Sequence, residues 1–332
     1  MKLSIVIICW NDLKVIMGCL QSIFGQKHET EFEVIVSDNG SADGSVEWIR
    51  GNFPQVRIME NGANLGFAKA NNVGIRAAKG EYVLILNPDT ICHEGALDTW
   101  MRFADAHPEA GAFGCRVHNP DQTFHEPAQH FPTVRRYWFE AVFLHKLGWI
   151  NDWFSSGEYK GWDGTTERAV DWQSGCCVLF RADVLRELNG FDERFFYNFE
   201  EVDLCKRVWD LGRPILYTPE PVFTHLWGQS VKRFPIRFAL EKLRNRYRYF
   251  WKHFGPGSME SLRAATLTHF RLRRVLYSMR RWFGTNESLE GRLAMYRTVI
   301  EWNRKIDLRR FIEKGEEPET GYEPLAPAPQ MT

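Results

Sequence analysis

Apolar positions along the chain fall into short runs that alternate with stretches of helical spacing. Leu3–Cys9 ("LSIVIIC") is apolar at almost every position, as a strand covered on both faces requires. Asn11 or Asp12 then offers a helix cap, and Leu13, Ile16, Leu20, Ile23 and Phe24 keep one helical face apolar until Gly25. Phe32–Val36 predicts a second strand running into the turn-rich "SDNGS" of residues 37–41. A short helix over 44–50, a strand over Val56–Glu60, a helix over Phe67–Lys79 and a strand from Val83 to Asn87 follow. Such alternation builds βαβ units, hence an α/β fold with a mostly parallel sheet.

The pattern continues with a helix over Glu94–Ala106 and a strand over Gly111–Val117. Residues 118–170 are rich in aromatics, Pro, Gly and His without a clear period, which predicts ordered loops with short helices. Regularity returns as a strand over Val170–Phe180, helices over Ala182–Leu188 and Glu200–Leu211, and a strand over Pro214–Tyr217. From Phe234 to about Ile312 the spacing is helical and the composition basic. Residues 313–332, rich in Pro and Glu with little to bury, predict a disordered tail.

Composition adds less than pattern. A content of 44% hydrophobic and 25% charged residues is that of an ordinary globular protein. Thirteen Trp and 24 Phe supply rings either for core and surface bulk or for stacking on a sugar or apolar ligand, and composition does not choose. Seven cysteines form no CxxC pair and no metal-ligand spacing, which points to a reducing compartment. Leu3–Trp10 is too short for a signal h-region or a membrane span, so the expected location is cytoplasmic.

Candidate chemistry begins at residues 84–93, "LILNPDTICH". Pro88 cannot donate to a ladder, so the strand stops there and Asp89 stands just past its carboxyl end, where ligands of open α/β sheets sit. The plainer alternative is a turn in which Asp89 bonds its own backbone. No GxGxxG follows the first strand and no GxxxxGK[ST] occurs, which excludes the usual dinucleotide and P-loop devices. Any bound phosphate needs another partner, and a carboxylate-held divalent cation is one.

Six segments in order, "SIVIICWN", "VIVSDNGSADGS", "NLGFAKANNVGI", "YVLILNPDT", "WQSGCCVLFRADVLRELNGFDERFFYNFEEVDLCKR" and "FTHLWGQS", resemble the inverting glycosyltransferases of family 2, in their rhamnosyltransferase-like branch. The resemblance covers residues 3 to about 230. It implies a GT-A fold, a mixed and mostly parallel sheet flanked by helices, with a nucleotide-sugar half over 1–116 and an acceptor half over 117–230. The basic helical extension over 231–312 lies outside it.

By the same resemblance, Asp38 recognises the base or ribose of a nucleotide-diphospho-sugar donor, and backbone around Ile8 and Trp10 flanks the base. Asn64 and Asn71 line the nucleotide side; many relatives carry Arg where Asn71 stands, so a charge on the diphosphate is missing there. "NPD" occupies the place of the family's Asp-x-Asp metal motif, with Asn87 for the first aspartate. Asp89 is then the chief ligand of Mg²⁺ or Mn²⁺, with Asn87 toward the ribose or a metal-bound water. His225 matches a histidine that closes the metal site in several relatives.

The base is expected at the start of the helix "FEEVDLCKR", where three acids also suit the helix dipole without any catalytic role. Helical spacing puts Glu200 and Asp203 on one face and Glu201 on another. The family's usual Glu-Asp pair assigns the base to Glu201, with Asp203 as the second candidate and Glu200 on the acceptor side. Trp172 is the candidate for stacking on a sugar, or else a core ring at a strand start.

The expected reaction is single displacement with inversion, moving L-rhamnose from dTDP-rhamnose to a polysaccharide or lipid-linked glycan. A UDP-hexose or UDP-galactofuranose donor is the alternative within the class, and a non-catalytic sugar-nucleotide or glycan-binding scaffold the alternative outside it. Residues 232–282 hold 14 Lys and Arg against Glu241 and Glu260, a local +12 in a chain whose 42 cations and 42 acids cancel. Without a recognised module, nucleic acid is not expected. An anionic membrane surface on the inner face and a homodimer interface are the two readings kept.

Overall fold

The computed structural model describes residues 1–125, 127–226, 235–284 and 286–318. The first elements in chain order are β1 (Leu3–Cys9), α1 (Leu13–Phe24), β2 (Phe32–Asp38), α2 (Ser45–Asn52), β3 (Arg57–Glu60), α3 (Gly66–Ala77) and β4 (Tyr82–Leu86). Next come β5 (Thr90–Cys92), α4 (Ala96–Ala106), β6 (Ala112–His118), β7 (Phe124–His125), β8 (Ala128–Gln129) and α5 (Val134–Ala141). They are followed by β9 (Arg168–Val170), β10 (Trp172–Gln173), β11 (Cys177–Arg181), α6 (Ala182–Glu187), α7 (Glu200–Asp210) and β12 (Ile215–His225). The chain then becomes helical in α8 (Pro235–Phe254), α9 (Met259–Arg280), α10 (Glu287–Lys305) and α11 (Leu308–Lys314).

Two compact units form, Met1–Phe131 with Trp162–Gly228, and Pro132–Gly161 with Gln229–Thr332. Residues 132–161 thus leave the expected acceptor half and join the helical unit.

In the first unit the main sheet runs β3-β2-β1-β4-β11-β6-β12-β5. β1 pairs parallel with β2 and β4, with Cys9 opposite Asp38 and Ile7 opposite Leu86. The carboxyl ends of three strands therefore share one edge. β11 inserts antiparallel, with Cys177 opposite Leu86, so its beginning lies at that edge too. The strand residues Leu3, Ile5, Ile7, Leu84 and Leu86 pack with Ile16, Leu20, Trp100 and Met101 of the helices in one core. On the other face Val6, Val83 and Ile85 are buried too, with Gly74 of α3 packed against Val6, and this cover on both sides explains why β1 and β4 read as unbroken apolar runs.

Two strand predictions change, and one strand appears that the pattern did not predict. Val170–Phe180 is not one strand. Its middle turns away so that β10 pairs with β8, and Ser174–Cys176 forms a turn closed by Cys177 N–H donating to Ser174 O (3.3 Å). Buried Gln173 stabilises this break by donating Nε2 to the carbonyls of Cys115 (3.5 Å) and Cys177 (3.4 Å). β12 continues past Tyr217 to His225, its register shifting between Tyr217 and Val222, where Pro219 and Pro221 fall in the irregularity. β5, too short to announce itself, pairs antiparallel with that extension, His225 opposite Thr90.

In the second unit, α8 to α11 and α5 enclose their own core of Tyr247, Phe250, Leu262, Trp302 and Phe311. Much of the basic block is internal to it. Arg244 is buried and pairs with Glu241 (3.2 Å) and Glu317 (2.6 Å), and the Arg246 guanidinium lies 4.2 Å from the Tyr137 ring centre. Disorder from residue 313 is therefore corrected for 313–317: α11 reaches Lys314, and Glu317 neutralises a buried arginine that needs an anion. The rest of that expected tail from 319 on, and Lys232 and Arg233 of the basic block, lie outside the described residues.

Candidate functional site

The shared carboxyl edge of β1, β2 and β4 collects most of the candidate residues. Asp38 closes β2 at 3% exposure. Its Oδ2 accepts from Gly40 N–H and Ser41 N–H, each at 3.0 Å, an Asx turn that fixes the carboxylate. Its Oδ1 is buried with no hydrogen-bond partner among the described residues. A buried acceptor in that state costs free energy until a donor arrives, so half of Asp38 is structural and half is offered to a ligand.

Asn39, which sequence reasoning passed over, ties the neighbouring loop. Its Oδ1 accepts from Asn61 Nδ2 (3.0 Å) and Leu65 N–H (3.3 Å), and its Nδ2 donates to Asn64 Oδ1 (3.4 Å). Asn64 Oδ1 also accepts from Gly66 N–H at 3.0 Å, so this oxygen serves the loop. Asn71 is fully buried on α3, donates Nδ2 to Phe67 O (3.1 Å), and keeps Oδ1 without a partner among the described residues. A carbonyl oxygen can accept from a hydroxyl but cannot pair with a phosphate. Ile8 lies opposite Ser37 at the end of β1, and Trp10 N–H donates to Asp12 Oδ2 at 3.0 Å.

Asp89 follows Pro88 beyond β4. Its Oδ1 accepts from His225 Nε2 at 3.0 Å, and its backbone oxygen from Leu226 N–H at 2.8 Å. Among the described residues its carboxylate accepts no backbone N–H, so the self-bonded turn that Asp38 makes is not made by Asp89. Asn87 is anchored through its backbone N–H to Cys176 O (2.9 Å), leaving its half-buried side chain at the same edge.

A hard divalent cation suits this donor set. Asp89 and His225 converge, and among the described residues no group of three or more His, Cys, Asp and Glu gathers to close a complete cage. One carboxylate and one imidazole leave coordination positions for phosphate oxygens and water; the carboxylate suits Mg²⁺ or Mn²⁺, and the imidazole suits Mn²⁺ better. Asp12, expected only as a cap, adds negative charge. Burial pushes its carboxyl up to about 6, and the fields of Asp89 and Asp43 act in the same direction. A cation at Asp89 would relieve that excess.

α7 is entered through a strained corner. Asn198 and Phe199 both have positive φ, 69° and 74°, an uncommon state for asparagine and a costly one for phenylalanine. Asp203 N–H donating to Phe199 O (2.8 Å) begins the helix. Asp203 itself is fully buried and accepts from Arg207 Nε at 2.8 Å. Arg207 also donates to Leu188 O (2.9 Å) and Gly190 O (2.8 Å). The second base candidate is thus held in an ion pair that pins α7 to the 188–190 turn. Asp203→Ala should lose about 3–5 kcal/mol of stability, the usual result of removing one member of a buried pair, in a chemical denaturation series. Unchanged stability would remove the structural role.

Glu201, half-buried, takes a different direction. A Cβ placed on Gly175 would stand 3.5 Å from Glu201 Cβ and 3.3 Å from the Phe67 ring, so this glycine lets α7 close on the Ser174–Cys176 turn. Burial pushes the Cys176 thiol up to about 12, and the carboxylates of both Asp89 and Glu201 contribute. The Tyr197 phenol is likewise pushed up to about 12 by burial, then by Glu200, Glu201 and Asp89. Both groups thus carry the influence of the two acids, and Cys176 is tied to the Asp89 segment by Asn87 N–H donating to its carbonyl at 2.9 Å. Tyr197 was missed by sequence reasoning, although it stands inside the "FFYNFEE" stretch.

Glu200 is buried beside Tyr197. Trp172 is half-buried on β10, and its Nε1 donates to His130 O at 3.0 Å, which leaves the ring but not the N–H for a sugar. Gly66, at φ 80°, starts α3 against Phe196, whose ring would stand 2.4 Å from an added Cβ. This contact brings α3 beside the corner that leads into α7.

A mixed sheet flanked by helices, with Asp38 at the end of β2 and Asp89 just past β4 at one edge, has the layout of a GT-A glycosyltransferase. Residues 4–188 match the family model Glycosyl transferase family 2, more than half of the chain, and the protein belongs to that family. Its relatives place it in the rhamnosyltransferase-like branch. The N-acetylglucosaminyl-diphospho-decaprenol L-rhamnosyltransferase of Mycobacterium tuberculosis is 32% identical over 219 residues, 62% of this chain and 70% of its own. Rhamnosyltransferase WbbL of Escherichia coli is 25% identical over 197 residues, 57% of this chain and 71% of its own. Among solved structures, mannosyltransferase PcManGT from Pyrobaculum calidifontis, in complex with GDP-Man and Mn²⁺, matches in fold with a TM-score of 0.53 at 16% identity, over 90% of this chain and 85% of that one.

Proposed function

We propose that this glycosyltransferase moves L-rhamnose from dTDP-rhamnose onto a lipid-linked or polysaccharide acceptor, by a single displacement that inverts the anomeric carbon. The observation that supports the mechanism is that the Ser174–Cys176 turn touches both acid-bearing segments: Asn87 N–H donates to Cys176 O at 2.9 Å, and a Cβ on Gly175 would stand 3.5 Å from Glu201 Cβ. The donor and acceptor classes draw on the rhamnosyltransferase relatives, one of which is named for a diphospho-decaprenol acceptor.

In this reading Asp38 Oδ1 accepts from the base or ribose, beside backbone at Ile8 and Trp10, and Asn71 Oδ1 accepts from a donor hydroxyl. Asn64 shapes that wall of the pocket through its loop, and Asn87 faces the ribose. Asp89 and His225 would hold the divalent cation, which when bound supplies Lewis-acid neutralisation of the diphosphate leaving group. Glu201 takes the proton of the attacking acceptor hydroxyl at a carboxylate oxygen. Glu200 and Trp172 border the acceptor. Asp203 serves α7, not the proton transfer. With one base and no second carboxylate as nucleophile, the displacement is direct.

A thermal-shift screen of sugar nucleotides with Mn²⁺ tests the donor. Ligand at a hundred times its Kd should stabilise the protein by about 2.7 kcal/mol, and dTDP-rhamnose should give the largest shift. A larger shift with a UDP-hexose or UDP-galactofuranose moves the donor assignment. Neither transfer nor donor hydrolysis in any metal would leave a sugar-nucleotide-binding scaffold. A lipid-linked acceptor also puts the work at a membrane surface; no helix among the described residues is long and apolar enough to cross one.

A further inference from the structure

The basic helical unit leaves one apolar face bare. Along α9, Leu272, Val275, Leu276 and Met279 are exposed at helical spacing, and Trp282 in the following 3₁₀ turn is 81% exposed. The opposite face of the same helix is occupied: Phe270 and Tyr277 meet the Tyr296 ring of α10. The stripe is therefore surplus to the fold.

A second apolar set adjoins it. Val142, Leu144, Leu147 and Ile150 are exposed in the short helical turns after α5, with Trp149 at 79%. Arg273 joins the two sets, donating Nη2 to Glu140 O at 3.3 Å and lying with its guanidinium 4.7 Å from the Phe143 ring centre. Sequence periodicity could not find this set, because "VFLHKLGWI" has no helical or strand period.

The charge along the stripe is mainly positive, with Glu290 pairing Arg281 next to Trp282 at 2.9 Å. Arg271, Arg274 and Arg280 are exposed beside the stripe, and none makes an ion pair among the described residues; Glu260 is the only acid of α9. An isologous dimer through this face would set arginine against arginine. An anionic bilayer answers both features: apolar side chains enter the acyl boundary, arginines meet lipid phosphates, and tryptophans sit at headgroup level.

We propose that the helical unit docks on an anionic lipid bilayer through this face, with Trp149 and Trp282 as its interfacial anchors. The proposal rests on the lipid-linked-acceptor reading for its purpose only. Full-chain protein should co-sediment with phosphatidylglycerol/phosphatidylcholine vesicles at 0.1 M salt and be released at 1 M, as the Debye length shrinks from ~10 Å to ~3 Å. Trp149→Ala with Trp282→Ala should lower the partition coefficient at least about tenfold. Arg271→Glu with Arg274→Glu should lower it about thirtyfold or more for anionic vesicles. Both pairs change exposed side chains, and an unaltered circular dichroism melt verifies folding.

Partitioning of the Trp pair equal to that of the native chain would overturn the proposal. So would a lack of vesicle binding combined with a dimer, seen by light scattering, that the Trp pair splits. Transfer to a water-soluble acceptor analogue, measured in parallel, separates the two readings. Transfer without vesicle binding defeats the docking face alone, and vesicle binding without donor turnover defeats the catalytic reading alone.

Discussion

Asp89→Ala should reduce sugar transfer by at least ~10³-fold, and excess chelator should silence the native enzyme until Mg²⁺ or Mn²⁺ is returned. Asp89 is the sole carboxylate of the "NPD" stretch and the acceptor of the His225 hydrogen bond at 3.0 Å. Asn87, a neutral residue, cannot replace its charge. The variant therefore loses the anionic half of a two-residue donor set and leaves His225 without this partner. His225→Ala should have the smaller effect, because imidazole contributes no negative charge toward the cation. Calorimetric titration of Mn²⁺ in the presence of dTDP should show weaker binding for both variants, a readout independent of turnover. Full activity of the native protein in excess chelator would remove the metal mechanism and leave Asp89 as a partner of His225.

Glu201→Gln should leave donor affinity within a few fold and lower turnover by roughly 10²–10⁴, the usual contribution of a general base. Glutamine keeps the shape and hydrogen-bonding capacity of the side chain but cannot take a proton. Glu201→Asp should fall between the two, since a missing methylene moves the carboxylate by about a bond length where near-attack distances are ~3–3.5 Å. The comparison that decides the assignment is Asp203→Asn. Buried against Arg207, Asp203 should shift the melting temperature rather than the ratio of turnover to donor affinity. If Asp203→Asn loses turnover with native donor affinity and Glu201→Gln does not, the base lies two residues further along α7.

Local pattern carried far in the first unit. β1, β2, β4 and the helices between them were legible because each strand is covered on both faces and each helix on one, so burial writes itself into the spacing of apolar residues. Motif order added the family, and with it Asp38, Asp89 and Glu201 as candidates. Pattern failed where a segment's partner is remote in sequence. Val170–Phe180 carries strand-forming residues on both sides of its Ser174-Gly175 step, yet it is β8, some forty residues earlier, that draws β10 away from β11. β5 is three residues long and exists because β12 runs past its two prolines to meet it.

Function divides along the same line. From sequence alone came the residue types, their order along the chain, the absence of other phosphate motifs and the concentration of positive charge after residue 231. Tertiary structure pairs Asp203 with Arg207 at 2.8 Å and sets Glu201 against Gly175 of the Ser174–Cys176 turn, a difference that one-residue spacing does not encode. It also leaves one oxygen of Asp38 without a donor among the described residues, and splits the basic block into arginines buried in pairs and arginines beside a bare apolar stripe. Charge and residue type belong to the chain. Partnership depends on what the fold brings within about 3 Å, and no spacing along one segment encodes it.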